Sequence, residues 1–253
     1  MPATVTFKSV DGKLLLLPRA RNFGSASIFI KRDDYEPELK ALRHFVPDGG
    51  LAIDVGGSFG VFTLFLSNYV GRKGRVITFE PGELSFSILL KNAGMNDFRN
   101  IEVHNIALSN VSGKGDLYHI AGSPVNFSLA GEAGVQSEQV DLRQLDAVLS
   151  REDREEVSFI KVDVEGYETF VLEGSTATIT AAKPVIMFEV AYSALARAKL
   201  SHMAPFEVLE RLGYCFFRLN EKGLFDRCSP PSEGNIFAIP ADRLSMYSIL
   251  TER

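Results

Sequence analysis

The feature that most constrains the fold is a junction around residue 55. Leu51-Ala-Ile-Asp54-Val is apolar apart from one acid, ends at Gly56 and Gly57, and passes through Ser58, Phe59 and Gly60 into a stretch to Tyr69 with large apolar residues at helical spacing. A strand covered on both faces is apolar almost throughout. The junction therefore reads as a buried parallel strand, a glycine turn and a helix returning over the sheet. The same cadence repeats downstream. Arg75–Glu80 is a second strand closed by Pro81, with a helix over Leu84–Met95. Ile101–Ile106 is a third strand, Val157–Asp163 a fourth with a helix over Thr169–Ile179, and Pro184–Val190 a fifth. The tail reads helix Pro205–Leu212, strand Tyr214–Leu219 and strand Asn235–Ile239. Strands alternating with helices predict an α/β, doubly wound sheet with right-handed crossovers.

Two segments break the alternation. Residues 1–32 suggest a small β element (Thr4–Val10, Lys13–Leu17 and Ser27–Lys31, turning at Gly12), and the glycine-rich residues 111–143 suggest a β-hairpin with a mobile loop. With no repeat and no linker, one domain over 1–253 is expected. It comprises an extension over 1–45, a core over 46–243 and the insertion 111–143.

Charge and cysteine content narrow the functions. Lys and Arg number 27 against 32 Asp and Glu, a net charge of −5, and no stretch gathers bases into a stripe. Binding nucleic acid by counterion release needs such a stripe, so no nucleic-acid partner is expected. Cys215 and Cys228 have no metal-ligand spacing and suggest a reducing compartment. No apolar run approaches the length of a membrane span, and the start lacks a basic segment followed by an apolar one. A soluble, cytoplasmic protein is expected, with homo-oligomerisation left open.

The turn itself carries chemistry. Counted from Gly56, the second and third glycines of a dinucleotide fingerprint would fall on Ser58 and Val61, so that fingerprint fails twice. Gly56 and Gly60 are instead separated by three residues, and Asp54 precedes Gly56 by two. An acid at a strand tip repels a pyrophosphate but suits a ligand with an α-ammonium and a sulfonium. This D-x-G-x-x-x-G spacing, with Glu80 at the next strand tip able to accept from two ribose hydroxyls, points to S-adenosylmethionine. A nicotinamide oxidoreductase and a noncatalytic cofactor-binding module are the rivals.

Five segments in order resemble the FkbM family of methyltransferases. They are Tyr35-Glu36-Pro37-Glu38, Ile53–Thr63 around the loop, Phe79-Glu80-Pro81, Asn105-Ile-Ala107-Leu-Ser109, and Ile160-Lys-Val-Asp163-Val-Glu165-Gly166-Tyr-Glu168. In that family Ala and then Asn usually follow the first glycine, where this chain has Gly57 and Ser58. The resemblance implies a class I methyltransferase (Rossmann-like) fold, seven-stranded, with Asn235–Ile239 antiparallel between the fifth and sixth strands.

Ligands in such sheets sit beyond the carboxyl ends of the strands. Asp54, Gly56, Gly57, Ser58, Phe59, Gly60, Glu80, Pro81, Ile106, Ala107 and Asp163 are therefore the expected cofactor contacts, Phe59 either covering the cofactor or packing in the core. Asp163, Glu165 and Glu189 are the expected catalytic acids, able to take a proton from an acceptor hydroxyl or to hold a Mg²⁺ ion that lowers its pKa. Glu168 is expected to favour a helix N-terminus, and His202 near Tyr192 is a minor candidate base. The expected activity is O-methylation of a small-molecule or glycan acceptor, a sugar hydroxyl ahead of a polyketide or macrolide hydroxyl.

Overall fold

In the computed structural model of the chain, the described residues are 4–8, 14–18, 36–96, 98–119, 127–131 and 135–251. At the N-terminal end β1 (Thr4–Lys8) pairs antiparallel with β2 (Leu14–Pro18). Leu15 and Leu17 pack with Phe59, Leu64 and Ile88, so this hairpin covers the glycine turn and the helix Glu83–Met95. The expected turn at Gly12 and third strand at Ser27–Lys31 lie outside the described residues.

The main sheet comprises β3 (Leu51–Val55), β4 (Arg75–Phe79), β5 (Ile101–His104), β10 (Val157–Val162), β11 (Val185–Val190), β12 (Tyr214–Leu219), β13 (Phe225–Arg227), β14 (Gly234–Pro240) and β15 (Leu250–Thr251). Their order across the sheet is β15-β13-β12-β14-β11-β10-β3-β4-β5. The pairs β5–β4, β4–β3, β3–β10 and β10–β11 are parallel, and β14 runs antiparallel between β11 and β12. Strand order thus switches between β3 and β10, and β14 holds the place expected of Asn235–Ile239. Two short strands extend the seven: β13 pairs antiparallel with β12, and β15 pairs parallel with β13.

The predicted elements hold with two local differences. The third strand ends at His104 because Asn105 turns out and donates to the carbonyls of Glu80 and Pro81, at 2.9 and 2.8 Å. The helix expected over Thr169–Ile179 is two helices, Glu168–Glu173 and Thr176–Ala182. The break is stabilised from outside: Asp146 accepts from the backbone N–H of Ala177 and Thr178, both at 2.8 Å, satisfying free donors of the second helix. The insertion forms a separate sheet of β6 (Ala107–Leu108), β7 (Gly113–His119), β8 (Phe127–Ser128) and β9 (Ser137–Arg143), in the order β6-β9-β7-β8. The expected hairpin is the antiparallel β7–β9 pair. Among the described residues no helix is long and apolar enough to cross a membrane.

Alternation along the strands sends side chains to two cores. Ile53, Ile160, Ile186 and Ile236 face one, and Ala52, Phe159, Met187 and Phe237 face the other. Toward the cavity end of the sheet the second face turns polar, at Asp54 and Lys161 on β3 and β10 and, one step further along, at Glu189 and Asn235 on β11 and β14. Asp54 is the register partner of Lys161, and Glu189 that of Asn235. Leu39, Leu42 and Phe45 of the segment before β3 cover this face.

Phe237 is fully buried, with its ring 4.7 Å from Phe225 and 5.3 Å from Phe45. Phe237→Ala leaves a cavity where β14 meets the covering segment. It should cost about 3–5 kcal/mol of unfolding free energy, read as a lowered midpoint in denaturant titration.

Candidate functional site

A cavity of about 300 Å³ opens beyond the carboxyl ends of β3, β4, β10 and β11. Its centre is the loop after β3. The N–H groups of Gly56 and Gly57 donate to the carbonyl of Phe79 at 2.9 and 3.1 Å, tying the loop to β4. Gly56 has φ +81°, and a Cβ there would stand 1.9 Å from the carbonyl oxygen of Asp163, so only glycine lets the two strand tips close up. Gly57 explains one departure from the family pattern: a Cβ would stand 2.4 Å from Thr78 Oγ1 and 2.8 Å from Leu89 Cδ1. Asn92 clamps the far side of the loop, its Nδ2 donating to the Phe59 carbonyl at 2.7 Å.

Glu80 stands at the tip of β4, 6% exposed and lining the cavity. Its Oε2 accepts from the Ser58 N–H and its Oε1 from the Gly82 N–H, both at 2.8 Å. Burial pushes the carboxyl up to about 7, against the lowering effect of those two amides. Each oxygen keeps a lone-pair direction for a further donor, which is the arrangement a pair of ribose hydroxyls requires.

The sequence-derived contacts divide into two groups. Gly56, Ser58, Phe59, Glu80, Pro81, Ile106, Ala107 and Asp163 line the cavity, whereas Asp54, Gly57 and Gly60 stand behind it. Phe59 packs in the core, 4% exposed against Leu15 and Leu17, and also lines the cavity. Asp54 is fully buried. Its Oδ2 accepts from Thr63 Oγ1 at 2.6 Å, and its Oδ1 lies 3.7 Å from Lys161 Nζ. Its carboxylate is thus directed into the protein rather than to a ligand.

Lys161 organises the other end of the cavity. It is 3% exposed, and its ammonium lies 3.2 Å from Asp163 Oδ2, 3.3 Å from the Gly56 carbonyl and 4.7 Å from the centre of the Phe62 ring. Burial draws its pKa down, but the carboxylates of Asp163, Asp54 and Glu36 more than reverse this and leave it raised. Glu189 faces Asp163 and shares a hydrogen bond with it. The charge of Asp163, then burial, then the charges of Glu165 and Glu168 push the Glu189 carboxyl well above the ordinary range. Glu36 also lines the cavity, its carboxyl raised to about 7 by burial and the charge of Asp163.

The three expected acids do come together at this end, but the expected Mg²⁺ site does not form. Among the described residues no group of three His, Cys, Asp or Glu side chains could hold a metal ion. Lys161 fills the cationic place beside Asp163, Glu189 bonds to Asp163, and Glu165 turns toward Arg197 at 3.8 Å. His202 stacks flat on Tyr192 with ring centres 4.0 Å apart and does not line the cavity. The insertion reaches the site as a wall. Leu117 of β7 and Leu129 line the cavity, and Ser128 Oγ donates to the Glu165 carbonyl at 2.8 Å.

Sequence reasoning assigned no role to Lys161 or Glu36. For Lys161 the signal was a lysine inside a strand otherwise apolar at every core position, since buried charges are paired. Glu36 sits in a motif of the resembled family, but its place in the cavity depends on how the segment before β3 crosses the sheet.

Residues 54–219 match the model of the methyltransferase FkbM domain, and the chain belongs to that family. Among individual proteins, "Methyltransferase 1" of Beauveria bassiana (strain ARSEF 2860) is 27% identical over 148 residues, an alignment covering 51% of this chain and 59% of that protein. "Methyltransferase sdnD" of Sordaria araneosa is 24% identical over 160 residues, covering 51% and 61%. The chain thus spans about three-fifths of the length of these curated relatives. Among solved structures, a SAM-dependent methyltransferase from Aquifex aeolicus aligns at TM-score 0.47 and 14% identity, over 86% of this chain and 98% of that one. An O-methyltransferase from Bacillus cereus in complex with SAH aligns at TM-score 0.43 and 14% identity, over 88% and 84%.

The buried acids also make stability depend on pH. Glu168 begins the helix after β10, where it was expected to favour the N-terminus. Its Oε1 in addition accepts from the N–H groups of Val164 and Gly166 at 3.0 and 3.2 Å, bracing the loop that carries Glu165. Burial, opposed by those amides, raises its carboxyl from 4.5 to about 7. Between these values the native state holds a proton that the unfolded state has released. The contribution is full below pH 4.5 and lost as pH rises through 7. Glu168→Gln keeps the acceptor and removes the titration. Its unfolding free energy should therefore fall less than that of the wild type between pH 5 and 8, by on the order of 1–3 kcal/mol, measured by denaturant titration across that range.

Proposed function

We propose that the chain transfers the methyl group of S-adenosylmethionine to a hydroxyl oxygen of a neutral acceptor. The observation that carries this reading is Glu80: a buried carboxylate at the second strand tip, tied through Ser58 to the glycine loop and facing the same cavity as Asp163. Glu80 would take the ribose hydroxyls. Pro81, Ile106 and Ala107 would receive the adenine, with Asp54, Gly57 and Gly60 shaping the loop from behind. When bound, the donor supplies an electrophilic methyl carbon on a sulfonium, and the acceptor oxygen forms its bond to that carbon as the C–S bond breaks.

The chain's own residues then have two tasks, holding the acceptor in line and receiving its proton. Asp163, beside Lys161, would receive it. Glu189 shares a hydrogen bond with Asp163, and Glu165 flanks them. The carboxyl-lined end suits a neutral polyhydroxylated molecule better than an anionic one, which favours a sugar hydroxyl. A second reading, a hydroxyl on an apolar scaffold such as a polyketide, is favoured by Leu117 and Leu129 in the wall.

Two measurements test this. Glu80→Ala should weaken S-adenosylmethionine binding by about 1.5–3 kcal/mol in isothermal titration, and binding of NAD(H) in its place would refute the donor assignment. Asp163→Asn should lower turnover at least about 100-fold at saturating donor with donor affinity retained. A near-wild-type rate would remove Asp163 from catalysis.

A further inference from the structure

At the cavity edge of the sheet neighbouring strands are about 4.8 Å apart: Glu80, Gly56 and Asp163 follow the carboxyl ends of β4, β3 and β10, Glu189 stands near that of β11, and Asn235 faces Glu189 from the amino end of antiparallel β14. Glu80 marks one end of the donor, so the donor's amino-acid end extends toward β10. The α-ammonium there needs a counter-charge. Asp54, the acid that the loop motif nominates, is fully buried behind the cavity lining, with Oδ2 on Thr63 and Oδ1 3.7 Å from Lys161. Asp163 is held by Lys161, and Glu189 bonds to Asp163. Glu36 remains. It lines the cavity and takes a side-chain hydrogen bond from Asn235. It is also rigidly mounted: its carbonyl accepts from the Leu39 N–H at 3.1 Å, Leu39 is fully buried, and the Leu39 carbonyl accepts from Tyr69 Oη at 3.1 Å.

We propose that Glu36, carried on the segment before β3, binds the α-ammonium of the methyl donor. This rests on the donor reading above and adds to it a residue from outside the glycine loop. The groups facing Glu36 are Asp163 and Lys161 on the β10 side, Asn235 on β14, and Glu38 on its own segment. With its carboxyl raised to about 7, chiefly by burial, Glu36 is largely protonated at pH 6.5. An ammonium placed against it favours the carboxylate, so donor binding releases a proton. At pH 8.5 the group is already ionised and the release vanishes.

The test is isothermal titration of the full chain at pH 6.5 in buffers of different ionisation enthalpy. The titrants are S-adenosylhomocysteine, which keeps the amino-acid end, and 5′-methylthioadenosine, which lacks it. Both titrants bring ribose hydroxyls to Glu80, whose carboxyl is also raised to about 7. Expected for the wild type is therefore a larger net proton release with S-adenosylhomocysteine than with methylthioadenosine, the difference belonging to the amino-acid end. Glu36→Gln should lower the release with S-adenosylhomocysteine to the methylthioadenosine level and weaken S-adenosylhomocysteine roughly tenfold or more, with methylthioadenosine unchanged within about twofold, and Glu36→Asp should restore part of the difference. Equal weakening of both ligands would make Glu36 merely structural, and an unchanged S-adenosylhomocysteine affinity would assign it elsewhere. Either overturns the proposal while leaving the donor reading in place. Failure of the wild type to bind either ligand overturns both.

Discussion

The arrangement of the site depends on one buried cation. Lys161 lies in the middle of the sheet, and its ammonium meets the carboxylates of Asp54 and Asp163 and the carbonyl of Gly56. A lysine without partners at that depth would be deprotonated or expelled. Partnered, it holds together the tip of β10 and the turn after β3, whose backbones also meet directly where the Asp163 N–H donates to the Val55 carbonyl. Removing one partner of such a buried pair typically costs about 3–5 kcal/mol, because the remaining charge is stranded. The carboxyl-rich end of the cavity thus exists because a cation lies beneath it, balancing acids that would otherwise repel one another or take up protons.

The alternation of strands and helices was legible because a two-sided sheet requires nearly continuous apolar strands, and the chain has five before the tail. The antiparallel β14 was legible through resemblance alone, since nothing in Asn235–Ile239 states its direction. Boundaries failed where a side chain from elsewhere intervened: Asn105 ends β5 by reaching to Glu80 and Pro81, and Asp146 starts a second helix at Thr176.

Within the site, residues next to glycines or at strand tips were readable, because strand direction alone brings Gly56, Glu80 and Asp163 to one edge. The orientation of Asp54 was not readable, since it is set by Thr63 nine residues later on the helix that follows. The metal expectation counted three acids and overlooked the lysine two residues before Asp163. Ser58 is a milder case. It stands at φ +48°, a left-handed conformation that asparagine, the usual family residue, adopts more readily. The serine keeps the N–H that Glu80 accepts, because that bond belongs to the backbone.

The insertion between β5 and β10 leaves the main sheet and returns without adding a strand to it. Its own sheet is joined to the floor of the cavity through Ser128 and presents Leu117 and Leu129 from above. Floor and roof are therefore built on separate sheets. A change in hairpin length or composition leaves the strand register, the glycine turn and the buried cation untouched, while altering the outline of the chamber above them. Such a plan uncouples the shape of the chamber from the stability of the base beneath it.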